Sequence, residues 1–176
     1  MINLFFNYYQ SDSRQHEIDE CLRMNKLVFD NVILVHDRPT FNDLFKLSEN
    51  YPNDINCYCN SDCYFESTKL LLKIKENECY ALTRNDLAKN NRINFQSQDA
   101  WCFNGVVKNV NADFPQGKWG CDNRLAYELK EAGYSLINPC KQINLIHLHA
   151  IDNRDNKRTN LNTVPPPYHF VHPSEI

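Results

Sequence analysis

The sequence predicts a single-domain α/β fold in which helices flank a mostly parallel sheet. Short apolar segments typical of buried strands alternate along the chain with segments whose apolar residues recur at helical spacing. The chain has 176 residues, of which 42 % are hydrophobic, and this suits one core but is too little for two. We therefore expect one domain over residues 1–150, followed by a polar, Pro-rich tail over residues 151–176.

The first third of the chain predicts three strands and two helices. A helix is expected after the cap candidates Ser11, Asp12 and Ser13, because Ile18 and Cys21 then recur at helical spacing. A second, shorter helix over 41–47 ends before a proline. The predicted strands are short and apolar, and the second of them is rich in β-branched residues: they cover 2–8, 32–35 and 55–59.

The rest of the chain predicts two more helices and four more strands around a polar loop at 85–98. The clearest helix covers 121–132, because Leu125, Ala126 and Leu129 form an apolar stripe and Gly133 can take the left-handed position beyond its end. A further helix is predicted at 67–75. The remaining strands are predicted at 78–83, 100–103, 136–137 and 143–149.

Charge and hydropathy exclude several functional classes. The net charge is −3, with 19 Lys and Arg against 22 Asp and Glu, so the chain has no overall positive field that would hold a polyanion. The sequence has no apolar run near the roughly 20 residues of a membrane-spanning helix. Its first residues lack the basic and apolar regions of a secretion signal, so we expect a cytoplasmic protein without a membrane span.

Eight cysteines raise the alternatives of disulfides, a zinc site or buried thiols. Without a secretion signal, reduced thiols are favoured. A zinc site could draw on Cys57, Cys59 and Cys63 with His147 and His149, and a zinc-binding interaction module would use the three cysteines with His149. The spacing of the three cysteines differs from the common zinc patterns, and the first two fit the buried face of a strand, where Cys packs as a small apolar residue.

Polar clusters follow several predicted strands, and ligands of open α/β sheets bind at the carboxyl ends of the strands. The turn Asn60-Ser61-Asp62 is the most suggestive cluster, because a carboxylate with neighbouring oxygen donors can hold a divalent cation. The same residues also build ordinary turns. The other clusters are Asn7-Tyr8-Tyr9, His36-Asp37-Arg38 and the pair His147 and His149.

A series of short motifs carries a resemblance to a known family. In order along the chain they are Cys59-Asn60-Ser61-Asp62-Cys63, Ala81-Leu82-Thr83-Arg84, Ser97-Gln98-Asp99-Ala100-Trp101, Gly120-Cys121-Asp122-Asn123, Ala132-Gly133-Tyr134 and His147-Leu148-His149. Over residues 2–149 this series resembles small glycosyltransferases of the Rossmann-like GT-A fold, which use nucleotide sugars. The resemblance implies a nucleotide, favoured as UDP, bound near Asn7, Tyr8 and Asp37. It also implies a Mn or Mg ion and sugar transfer to an acceptor hydroxyl.

The resemblance assigns the metal and the base to two aspartates. Asn60, Ser61 and Asp62 occupy the position of the family's Asp-x-Asp motif, and Asp62 would bind the cation; Asn60 replaces the first acid, so the cation would depend largely on the donor's diphosphate. Asp122 corresponds to the general base of inverting members, which accepts the proton of the attacking hydroxyl. Asp122 could instead be a carboxylate that interacts favourably with the amino end of a helix.

Further contacts implied by the resemblance each have a structural alternative. His149, or less favourably His147, would contact the metal or diphosphate, or be a core imidazole. Asp99 would bind hydroxyls of the donor sugar, and Trp101 would stack on that sugar or lie in the core. Arg14 and Arg84 would bind diphosphate or sugar, or be solvated surface charges.

The acceptor is left open between a glycan, a protein and modified DNA. Because the chain is short for this class, we expect either a large acceptor on an open surface or a partner that supplies the missing wall of the acceptor site. A viral enzyme that glycosylates a hydroxymethylated DNA base is one alternative, for which the basic segments 89–92 and 154–158 could bind phosphates. A nucleotide-sugar-binding protein without catalysis is another, because Asn60 replaces an acid.

Overall fold

A six-stranded sheet organises the fold. The computed structural model describes residues 1–86, 92–93, 95–148 and 160–176. The strand order across the sheet is β2-β1-β3-β8-β5-β9. These strands are β1 (Ile2–Asn7), β2 (Asn31–Val35), β3 (Ile55–Cys59), β5 (Glu78–Leu82), β8 (Ala100–Asn104) and β9 (Ser135–Ile137).

The sheet is mixed, which corrects the expectation of a mostly parallel one. β1 pairs in parallel with β2 and β3, and β5 pairs in parallel with β9, but β8 runs antiparallel to both β3 and β5. Ala100 pairs with both Cys59 and Leu82, so β8 begins at the edge of the sheet where β3 and β5 end. If β8 were parallel to β5, the chain would have to cross to the opposite end of the sheet before β8 began. Apolar periodicity predicts a strand but does not indicate its direction.

A second, four-stranded sheet lies beside this edge, in the order β4-β10-β6-β7. Its strands are β4 (Cys63–Phe65), β6 (Asn85–Asp86), β7 (Arg92–Ile93) and β10 (Leu145–His147). The expectation of a loop over 85–98 is therefore corrected, since β6 and β7 fall within it. Strands of two or three residues are too short for an alternating pattern to reveal them.

Three helices cover the two faces of the large sheet: α1 (Gln15–Asn25), α2 (Phe41–Ser48) and α3 (Cys121–Glu131). α1 packs Ile18 and Cys21 with Leu4 on one face, while α2 and α3 pack with Phe5 on the other. A capping box between Thr40 and Asp43 begins α2. The helix predicted at 67–75 is a 3-10 helix at Lys69–Lys73, in which Leu71 is buried and Leu72 exposed. Within the described part of the chain, no helix is long and apolar enough to cross a membrane.

All eight cysteines are buried free thiols. Cys57, Cys59 and Cys63 lie in the same apolar cluster as Leu4 and Phe6. Burial raises the pKa of each of these three thiols above its usual value, which favours the neutral form. The thiols therefore pack as small apolar side chains, as the strand interpretation predicts.

The end of the chain, residues 160–176, lies against the domain, and we call it the C-terminal strap. Val164 and Val171 are buried in the cluster that contains α3. Backbone bridges join Thr163 to Trp119 and Pro173 to Asn138. The composition of 151–176 predicts only a polar tail, because two isolated valines among prolines give no periodic pattern; residues 149–159 lie outside the described residues.

Gly120 marks where the strap meets the start of α3. A Cβ on Gly120 would lie 2.6 Å from the Tyr168 hydroxyl, whereas one on Gly117 would meet nothing within 4 Å, although φ is +75° and +79° at the two positions. Both Ala substitutions should cost about 1–2 kcal/mol for a left-handed backbone. Gly120→Ala should cost about 1 kcal/mol more, since it displaces Tyr168 from its hydrogen bond to Val164.

Urea denaturation of Gly120→Ala and Gly117→Ala measures that difference directly. The additional Tyr168→Ala substitution should remove it, because the ring that meets the new Cβ is then absent. Equal stabilities of the two single variants would show that the strap does not press on Gly120.

Candidate functional site

A cleft of about 880 Å³ opens where β1, β3 and β5 end and β8 begins, between the large sheet, the amino end of α3 and the strap. Strand direction explains why the polar clusters meet here, because parallel strands present their carboxyl ends at one edge. Nine of the predicted site residues line this cleft: Asn7, Arg14, Asn60, Ser61, Asp62, Arg84, Asp99, Trp101 and Asp122.

Asp62 is held between two basic side chains. Arg14 Nη2 donates to Asp62 Oδ2 at 2.7 Å, and His147 Nε2 lies 3.2 Å from the same oxygen. The turn is fixed by the Ser61 hydroxyl, which donates to the Asn7 carbonyl at 2.6 Å. Burial alone would raise the pKa of the Asp62 carboxyl, but its contacts with His147 and Arg14 outweigh burial and hold that pKa well below its usual value.

Asp62→Asn should make the protein less sensitive to acid. Because the carboxyl pKa is lowered in the folded state, the pair stabilises the fold at neutral pH, and this contribution is lost as the pH falls below the ordinary Asp value of 3.8. Breaking a fully buried ion pair costs roughly 3–5 kcal/mol of folding free energy. This value is an upper bound for Asp62→Asn, because Arg14 and Asp62 are 28 % and 19 % exposed.

Urea denaturation between pH 7 and pH 3 measures this effect. The stability difference between wild type and Asp62→Asn should be largest at pH 7 and shrink on acidification. Asp12→Asn, on an exposed residue, is the control and should follow the wild type. A difference that stays constant with pH would contradict the ion-pair account.

A second charged cluster surrounds Asp99. This residue precedes β8, is 3 % exposed, and accepts hydrogen bonds from Arg84 Nη1 and, at 2.9 Å, from Asn60 Nδ2. Its backbone bridges two strand ends, because its carbonyl accepts from the Asn60 N–H and its N–H donates to the Leu82 carbonyl. Asn60 therefore turns toward Asp99.

Asp122 lies in the first turn of α3, two residues after Gly120. Its Oδ2 accepts a hydrogen bond from the backbone N–H of Gln98 at 3.2 Å. Burial, followed by the negative charge of Asp99, raises the pKa of the Asp122 carboxyl above its usual value, although a hydrogen bond with Ser97 opposes the shift. A cleft carboxylate with a raised pKa is a stronger base and a candidate for proton transfer.

A cation on Asp62 would meet a carboxylate whose Oδ2 is already engaged and whose Oδ1 accepts from the Cys63 thiol at 3.6 Å. Asp62 Oδ2 contacts Arg14 and His147, and Asn60 is bonded to Asp99. Among the residues the structure describes, no group of three or more His, Cys, Asp or Glu could hold a metal ion, and these residues include the three thiols of the zinc alternative. These side chains by themselves do not form a cation site.

Several predicted residues take other positions. Tyr8 and Asp37 do not line the cleft; the Tyr8 hydroxyl donates to Asp19 at 2.7 Å, and Asp37 is exposed with a φ of +66°. Their neighbours Tyr9 and Arg38 line the cleft instead. His149 lies outside the described residues.

Trp101 borders the cleft but packs in the core. It is 2 % exposed, and in register it pairs with Tyr58 of β3 and Ala81 of β5. A ring buried to this extent has no free face for a sugar, so the expectation of a stacking residue is corrected in favour of the core alternative.

The structure adds cleft residues that the motifs do not identify: Glu17, Lys118, Trp119, Tyr168 and Phe170. His147 of β10, the less favoured of the two predicted imidazoles, is 2 % exposed and contacts Asp62. In the sequence, the aromatic residues Tyr168 and Phe170 between Pro167 and Pro173 are the signal that the strap packs against the domain. Composition does not show where it packs.

Comparison of the chain with models of known protein families finds no match. Comparison with curated proteins and with solved structures likewise gives no significant similarity.

Proposed function

We propose that this protein is a glycosyltransferase that moves a sugar from a nucleotide sugar, favoured as a UDP-sugar, to an acceptor hydroxyl with inversion. The observation that supports this most is that one cleft gathers eight of the residues that the motif resemblance assigns to donor binding and catalysis, not counting the buried Trp101. These residues come from separate segments between Asn7 and Asp122, so their meeting is not a consequence of sequence proximity.

The proposed roles follow from charge and position. Asp122 takes the proton of the acceptor hydroxyl as that oxygen attacks the anomeric carbon, and the bond from that carbon to the diphosphate breaks. Arg14 and Arg84 bind the diphosphate as its negative charge develops. Asp99 accepts hydrogen bonds from hydroxyls of the donor sugar, and Asn60 donates hydrogen bonds to them.

The reduced, buried thiols are consistent with a reducing compartment, and we include the cytoplasm in the proposal.

A divalent cation bound through Asp62 also remains part of the proposal. Because Asp62 is engaged by Arg14, most ligands of such an ion would have to come from the phosphates of the donor.

Thermal shift with UDP, a panel of nucleotide sugars and Mn tests this function. Mn alone should leave Tm unchanged, whereas the cognate nucleotide at about 100 times its Kd should raise Tm by roughly 5–10 °C, and Mn should increase that shift. Arg84→Gln should abolish the shift, because the variant loses a cation that we place on the diphosphate. Arg23→Gln, on an exposed residue of α1, should retain it.

Absence of a shift with every nucleotide sugar, with and without Mn, would contradict the proposed function. A shift with Mn alone would contradict the dependence of the cation on the donor phosphates.

A further inference from the structure

Three aromatic side chains line the cleft beside the start of α3. They are Trp119, Tyr168 and Phe170, and we call them the aromatic rim. Trp119 is 36 % exposed and Phe170 is 44 % exposed, and Trp119 lies three residues before Asp122. The proposed donor contacts contribute no exposed ring, since Trp101 is buried. The rim therefore places water-facing rings next to the proposed base.

Backbone hydrogen bonds hold the rim in place from both sides. Val164 N–H donates to the Trp119 carbonyl at 2.8 Å, and His169 N–H donates to the Asn123 carbonyl at 2.9 Å. The Val171 carbonyl accepts from Asn138 Nδ2 at 2.9 Å and from Gln98 Nε2 at 3.3 Å. Tyr168 and Phe170 lie between these anchors, so their positions are preorganised and little ordering is needed on binding.

We propose that the aromatic rim is the acceptor subsite and that it binds a hexopyranose unit of a carbohydrate acceptor; this inference rests on the proposed function. A pyranose ring presents C–H groups on its face, which pack on the negative face of an aromatic ring, and hydroxyls at its edge. Stacking on the rim leaves an edge hydroxyl free to approach Asp122, which lies at the same end of α3.

Charge around the rim favours a carbohydrate over modified DNA. Arg124 of α3 is bonded to Glu128 at 2.7 Å and to the carbonyls of Pro165 and Pro166, and it does not line the cleft. Beside the rim, Lys118 is positive and Asp122 negative; of the three arginines that line the cleft, Arg14 and Arg84 are assigned to the diphosphate, which leaves Arg38. A DNA backbone needs several cationic contacts, whereas a neutral sugar needs none.

The test uses the full chain with Trp119→Ala and Phe170→Ala, and Phe95→Ala as the matched control. Phe95 is an exposed ring, 42 % accessible, that does not line the cleft. The probes, applied with UDP present, are an array of neutral oligosaccharides and a DNA duplex containing 5-hydroxymethylcytosine. We expect the wild type to bind an oligosaccharide, and each rim variant to bind it roughly threefold to tenfold more weakly. Phe95→Ala should bind like the wild type, and Trp119→Phe should restore part of the affinity.

Three outcomes would overturn the inference: binding of the DNA duplex and no oligosaccharide, binding of no probe at all, or equal oligosaccharide affinity in the wild type and both rim variants. The thermal shift with UDP separates this inference from the function on which it rests. A wild type that is stabilised by UDP but fails the oligosaccharide test contradicts the rim alone, whereas a wild type that binds no nucleotide sugar contradicts the transferase as well. Unchanged UDP shifts in the rim variants would also show that these proteins are folded.

Discussion

Asp122→Asn is expected to lower turnover of the nucleotide sugar by about 10²–10⁴-fold while leaving its binding unchanged. The amide cannot accept a proton from the acceptor hydroxyl at neutral pH. It has nearly the same shape as the carboxylate, however, and its oxygen can still accept the hydrogen bond from Gln98 N–H. The loss should therefore appear in the rate and not in the thermal shift with the donor.

Donor hydrolysis and sugar transfer, measured across pH, test this prediction. Because burial and Asp99 raise the pKa of Asp122, the wild-type rate should fall on acidification at a pH above the ordinary Asp value of 3.8, as the base becomes protonated. Asp113→Asn, on an exposed residue, is the control and should keep the wild-type rate. Full activity in Asp122→Asn would exclude this residue as the base.

Trp101→Ala is expected to destabilise the fold by roughly 3–5 kcal/mol, because it removes the largest fully buried side chain of the core. Trp101 lies in the central part of the sheet, between β3 and β5, and packs in the cluster that contains α2 and α3. The cavity left by the indole opens beneath the cleft, so stability and donor binding should both decline.

Urea denaturation of the wild type and of Trp101→Ala, analysed with the same m value, measures that loss of stability. Trp101→Phe should lose less, because it retains most of the buried volume. Trp119→Ala is the matched control, since this second tryptophan is 36 % exposed and its removal leaves no comparable cavity. If Trp101→Ala kept wild-type stability but lost donor affinity, Trp101 would be a residue that stacks on the sugar and not a core residue.

Much of the fold and of the cleft could be predicted because the relevant signals are local. Strand β3 and helix α3 coincide closely with the predicted segments 55–59 and 121–132. Asn60 and Arg84 could be placed at one edge because each follows a strand directly, and a strand end orients the residues that follow it. The sequence does not show which of two adjacent residues lines the cleft: Tyr9 and Arg38 line it in place of the predicted Tyr8 and Asp37.

The sequence by itself determined which residues carry charge, where the strands of the large sheet and its three covering helices form, and which polar turns follow the strands, because these properties depend on neighbours a few residues apart. Only the tertiary structure decided that β8 runs antiparallel, that Trp101 is buried, that Asp62 is held by Arg14 and His147, and that the strap closes one side of the cleft. These features join residues that are distant along the chain. Their free energy comes from packing and pairing across the fold, which local composition and periodicity do not encode.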